Sequence, residues 1–126
     1  FGNSGGQKFW SWYGFDSRVE WCACFASWCA EQSGMVASGQ VLKFSSCAVG
    51  ASWFQGQGRW KGKGYTPSAG DFIFFDWNKD GQVDHVGIVV NVANGRVNTI
   101  EGNTSNMVAR RSYQLGGIVI VGYGYI

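Results

Sequence analysis

The chain is 126 residues long and carries ten basic against eight acidic residues, a net charge of +2 too weak to argue for a nucleic-acid partner. Its length suits one domain over residues 1–126, with a core that needs no disulfide staples. It begins Phe1-Gly2-Asn3-Ser4, with no charged and apolar leader and no apolar run long enough to cross a bilayer, so an excised or mature fragment without membrane insertion is expected.

Phe1 to Phe15 is glycine-rich and then aromatic, which reads as a short helix or ordered arm packed on the core. Ser17 to Gln32, SRVEWCACFASWCAEQ, reads as the main helix. Ser17 and Glu20 have capping-box spacing, and Trp21, Phe25, Trp28 and Cys29 make an apolar stripe that faces a sheet. Cys22 then falls within the first two turns, where the positive end of the helix dipole favours a thiolate. Cys24, Cys29 and Cys47 lack that help. Taken alone, Cys22 also reads as a small buried hydrophobe, so its role depends on whether the chain supplies a base.

Ser33-Gly34 ends the helix. A second, shorter helix is expected around Cys47 to Gly50, and Trp53 to Tyr65 reads as a loop whose Arg59, Lys61 and Lys63 are solvated. Four cysteines do not make a disulfide scaffold, and the C-x-C-x(4)-C run lacks the spacing and histidines of a zinc site. Cys47 is placed to meet Cys24 or Cys29 across a loop.

From Pro67 the character changes. Pro67 to Gly70 makes a turn, and Asp71 to Asp76, His85 to Val92, Arg96 to Glu101, Met107 to Ser112 and Ile118 to Ile126 read as strands. Helices followed by a run of antiparallel strands define an α+β domain.

His85 is the sole histidine and stands where a loop enters a strand, and the next strand ends in Glu101-Gly102-Asn103. The hairpin at Asn94-Gly95 decides whether they cooperate, because a one-residue slip turns every side chain to the other face. A two-residue turn directs Glu101 away from His85. A three-residue loop, Ala93-Asn94-Gly95, sets Gly87 opposite Glu101 and His85 opposite Asn103, all on one face, so a loop of odd length is expected. His85 is then the base for Cys22, with Glu101 or Asn103 fixing the ring and backbone N–H groups at the helix start available to an oxyanion.

Glu20-Trp21-Cys22-Ala23-x-Phe25-x-x-Trp28-Cys29, Pro67-x-x-Gly70-Asp71, Asp84-His85-Val86-Gly87-Ile88-Val89 and Glu101-Gly102-Asn103 together resemble a CHAP domain over about Ser17 to Ser105. The resemblance implies a papain-like fold of the NlpC/P60 type, with an N-terminal helix carrying the nucleophile on an antiparallel sheet. It implies cysteine-dependent cleavage of peptidoglycan, by an endopeptidase or an N-acetylmuramoyl-L-alanine amidase. Cys22 is then the nucleophile, His85 the base, and Glu101 and Asn103 their polar partners. Trp21 stands where many relatives carry a polar residue, so no oxyanion role comes over to it; Trp21 and Ala23 also speak against the NlpC/P60 class itself.

Asp76, Asn78, Asp80, Gly81 and Asp84 match the first nine positions of a calcium loop, with the Gln82 carbonyl as backbone ligand, but Gly87 stands where a bidentate glutamate belongs. Asp80-Gly81 reads equally as a hairpin turn. Calcium here is at most structural, and no cofactor is required. Trp53, Trp60 and Trp77, read as loop residues, are the candidate substrate-binding aromatics. The competing functional reading is a wall-binding module without turnover. Peptidoglycan as partner places the protein outside the cell or in the wall, as a monomer.

Overall fold

The structure, a computed structural model, describes residues 2–126 and is α+β. Helices α1 (Gln7–Tyr13), α2 (Cys22–Gln32) and α3 (Cys47–Gly56) precede most of an antiparallel sheet. Its strands are β1 (Trp60–Gly62), β2 (Phe72–Phe75), β3 (His85–Ala93), β4 (Arg96–Thr104), β5 (Met107–Gln114) and β6 (Ile120–Gly124), in the order β1-β6-β2-β3-β4-β5. Of the aromatic arm expected over Phe1 to Phe15, Phe1 lies outside the described residues, and Phe9 in α1 is buried against Trp21 and Phe25. No helix among the described residues is long and apolar enough to cross a membrane.

The period-two alternation of β2 divides the core. Phe72 and Phe74 pack with Ala23, Ala26, Phe44, Phe54 and Val86 on the helical side, whereas Ile73 and Phe75 join Val89, Val97, Ile120 and Tyr123 in a second cluster. All four β2 side chains are buried, as a strand covered on both faces requires. Helix α2 is enclosed in turn. Trp21, Cys24 and Phe25 meet Phe9 and Val108, and Cys22, Ala23 and Ala26 meet the cluster shared with α3. Gly102 is what admits this approach: a Cβ there would sit 2.3 Å from the Cβ of Phe25.

Three local expectations are corrected. The capping box does not form: α2 begins at Cys22, no side chain caps it, and Glu20 instead pairs with Arg18 at 3.0 Å. Helix α3 runs well past Gly50, so Trp53 is helical, and Trp60 opens a strand paired with β6. The β3–β4 connection is the two-residue turn, with Ala93 opposite Arg96 and both Asn94 and Gly95 at positive φ, 54° and 74°. The register nevertheless becomes the one expected of an odd loop. Asn91 faces Asn98 and Val89 faces Thr99, so a bulge at Val90 supplies the one-residue shift that the turn does not.

Candidate active site

Cys22 is the first residue of α2 and is 4% exposed at the floor of a cavity of about 390 Å³. His85, the first residue of β3, lines this cavity together with Trp77, Asp84, Glu20, Asn103, Thr104 and Ser105. The His85 Nε2 lies 2.8 Å from Glu101 Oε1, which leaves Nδ1 as the ring nitrogen for the thiol. Gly87 makes that contact sterically feasible: a Cβ on it would sit 2.6 Å from Glu101 Cγ.

Glu101 is fully buried and all of its partners are polar. Its Oε2 accepts from the Thr99 hydroxyl at 2.5 Å and from the Tyr113 hydroxyl at 2.7 Å, and Oε1 faces the imidazole. A carboxylate so supplied with donors is held in one orientation. Neither Thr99 nor Tyr113 was anticipated. Thr99 was legible, since it lies two residues before Glu101 on the same strand face. Tyr113 was not, because it arrives through the β4–β5 register.

The electrostatics favour a thiolate–imidazolium pair. Cys22 is drawn well below the usual thiol range, first by a hydrogen bond from Cys47 and, against the cost of burial, by hydrogen bonding and charge from His85 and by the Val86 backbone N–H. Burial alone would lower His85, but its hydrogen bonds to Cys22 and Glu101, with their charges, raise it to about 9. Burial pushes Cys24 and Cys29 up to about 11, so neither competes as a nucleophile.

The remaining sequence candidates separate. Asn103, at φ 56°, does not touch the ring; its Oδ1 accepts from Arg18 Nη2 at 2.9 Å on the cavity rim. Trp77 does reach the site, lying 6.0 Å from the His85 ring and stacked on Phe75 at 4.9 Å. Trp53 packs on Phe54 and Arg59, and Trp60 on Phe74, both outside the cavity wall. Cys47 meets neither Cys24 nor Cys29; its sulfur lies beside that of Cys22.

The acidic loop is bound to itself. Asp76 accepts the N–H groups of Asp80 and Gly81, Asn78 that of Asp80, Asp80 that of Gln82, and Asp84 those of Trp77 and Asn78. Among the described residues no group of three or more His, Cys, Asp or Glu side chains has the placement to hold a metal ion. What the loop does in the structure is fix Trp77 and Asp84 ahead of His85.

A thiol at a helix start, set against a strand-borne imidazole and its buried carboxylate on an α+β scaffold, defines the papain-like group. Within that group the chain belongs to the CHAP domain family, whose sequence profile matches residues 12–103. Two solved structures are similar in fold. One is described as the crystal structure of Ly7917 with the hydrolyzing product of MDP, at TM-score 0.56 and 22% identity, covering 81% of this chain and 52% of that one. The other is Ly7917 alone, at TM-score 0.56 and 20% identity, covering 81% of this chain and 51% of that one. The chain thus spans about half the length of the solved structures it matches. No curated protein matches it.

Proposed function

We propose that the chain is a peptidoglycan hydrolase that cleaves an amide bond through a cysteine thiolate, either as an endopeptidase or as an N-acetylmuramoyl-L-alanine amidase. The observation that carries this reading is the His85–Glu101 contact at 2.8 Å beside a buried helix-start thiol. Membership of the CHAP family supports the substrate class, as does a fold neighbour determined with the hydrolyzing product of MDP.

In this mechanism the Cys22 thiolate attacks the scissile carbonyl carbon, and N–H groups at the uncapped start of α2 receive the developing oxyanion. His85 gives its proton to the leaving amine as the C–N bond breaks, leaving a thioester. Neutral His85 then takes a proton from water, whose oxygen displaces the sulfur and restores the thiolate–imidazolium pair. Glu101 holds the ring, and Trp77 is the aromatic wall against which the substrate lies. No cofactor enters. The reaction belongs outside the cell or in the wall, and the chain acts as a monomer.

Purified sacculi test the reading. Wild-type protein is expected to release new amino groups without new reducing sugar ends, and Cys22→Ala to fall to background with an unchanged melting temperature. Mass spectrometry of the fragments separates endopeptidase from amidase. Lysis retained by Cys22→Ala would sink the assignment.

A further inference from the structure

Cys47 takes no part in the mechanism above, yet its sulfur lies 3.3 Å from that of Cys22. The fold builds this contact. Each cysteine is the first residue of its helix, so the N-termini of α2 and α3 converge on the sulfur pair. Ser46 caps α3 by accepting the Val49 N–H. Ser27, fully buried in α2, donates to the Phe44 carbonyl at 2.7 Å and accepts the Phe44 N–H at 2.9 Å, which ties the approach to α3 to the helix that carries Cys22. Both sulfurs are enclosed, with Cys22 4% and Cys47 8% exposed.

The groups around the pair are unequal. On Cys22 act the His85 imidazole from β3 and the Val86 N–H; on Cys47 act the Asp84 carboxylate from the preceding loop and Cys24 in α2, which is itself raised by Cys22. Negative charge is therefore better placed on Cys22, beside the imidazole, and the shared proton on Cys47, nearer a carboxylate.

We propose that Cys47 is a positioning residue for the reaction at Cys22, donating its S–H to the nucleophilic sulfur so that this sulfur is held as an oriented thiolate. The assignment rests on the thiol-hydrolase reading. Titration directions agree with it, since Cys22 is drawn down, first by Cys47, and Cys47 is pushed up, first by Cys22. Cys47 keeps its proton throughout; the proton delivered to the leaving amine is that of His85. Once the Cys22 sulfur has bonded to the carbonyl carbon it loses its charge and accepts only weakly, so the donor stabilises the resting thiolate rather than the acyl-enzyme.

The test compares Cys47→Ala, which removes the donor, with Cys47→Ser, which keeps one. The readout is the pH dependence of iodoacetamide alkylation at Cys22, assigned by peptide mass spectrometry, together with steady-state lysis. Cys47→Ala is expected to move the Cys22 midpoint up by about one pH unit, leaving about tenfold less thiolate at a fixed pH below it. On the acid side kcat falls with KM unchanged, and Cys47→Ser recovers part of both. Superimposed profiles for wild type and Cys47→Ala overturn the proposal, as does Cys47→Ser shifting as far as Cys47→Ala.

The unmodified chain gives a second reading that needs no variant to fold. Its Cys47 peptide is expected to resist alkylation at every pH where Cys22 reacts, and equal reactivity of the two overturns the proposal. Alkylation requires no wall substrate, so the two readings fail separately. A Cys47-dependent shift without lysis by wild type sinks the hydrolase and keeps the donor; lysis without a shift does the reverse.

Discussion

The His85 ring and the Glu101 carboxylate meet at 2.8 Å across a hairpin whose turn, left to itself, would direct them to opposite faces. Val90 is the residue that reconciles the two. The bulge there displaces the β3–β4 register by one position, and Gly87 clears the space into which the carboxylate reaches.

Deleting Val90 is therefore expected to make the ladder regular from the Asn94-Gly95 turn while keeping Val89 opposite Thr99, and so Glu101 on the face of His85. Lysis is retained in that variant. Deleting Val89 together with Val90 sets Val86 opposite Glu101 under regular pairing and turns the carboxylate away from the ring, so lysis falls to background while strand content by circular dichroism is retained. Activity in the double deletion would show that register does not matter.

Glu101→Gln keeps size and removes charge. The imidazolium loses its anionic partner, and kcat is expected to fall by about 100-fold or more. Two hydroxyls, of Thr99 and Tyr113, still find an acceptor only if the amide oxygen faces them, which presents NH₂ to the ring and disfavours its charged form. A stability loss of ~1–3 kcal/mol by urea unfolding accompanies the change.

The pH profile follows from the directions of the two shifts. Cys22 deprotonates well below the ordinary thiol range, so both alkylation and lysis rise on the acid side of that range and level off before it is reached. His85, raised to about 9, loses its proton as pH climbs through that value. Lysis needs that proton for the leaving amine and should decline there, whereas alkylation needs none and should not. Glu101→Gln removes a group that raises His85, so its alkaline limb should move to lower pH. Stopped-flow alkylation and turbidity across the same buffers check both limbs.

Chelation tests the acidic loop. Because hydrogen bonds from the loop's own N–H groups already hold Asp76, Asn78 and Asp80 in place, EDTA is expected to leave melting temperature and lytic rate unchanged. A fall in either on chelation, restored by added calcium, would give the loop a metal after all.

Much of this protein could be read from local pattern. The α+β class, α2 and its end at Ser33-Gly34, five of the six strands to within a few residues, and the pairing of Cys22 with His85 all follow from periodicity, turn chemistry and the scarcity of histidine. Such signals arise from interactions between residues close in the chain, and they survive any tertiary arrangement. The reach of α3 past Gly50 was less visible, since CAVGASWFQG mixes small residues with glycines and gains its helix from burial of Ala51 and Phe54.

What the chain alone could not decide is which polar groups share a surface. The single-residue shift at Val90, the transfer of Asn103 from the ring to Arg18, the arrival of Tyr113 beneath Glu101 and the meeting of Cys47 with Cys22 all depend on contacts between distant segments. Side-chain facing in a sheet is a parity, and one bulge inverts it at little local cost, so packing of α2 and α3 on the finished sheet selects the outcome. Residue types thus determined the chemistry available to this protein, and tertiary packing determined which of those residues touch.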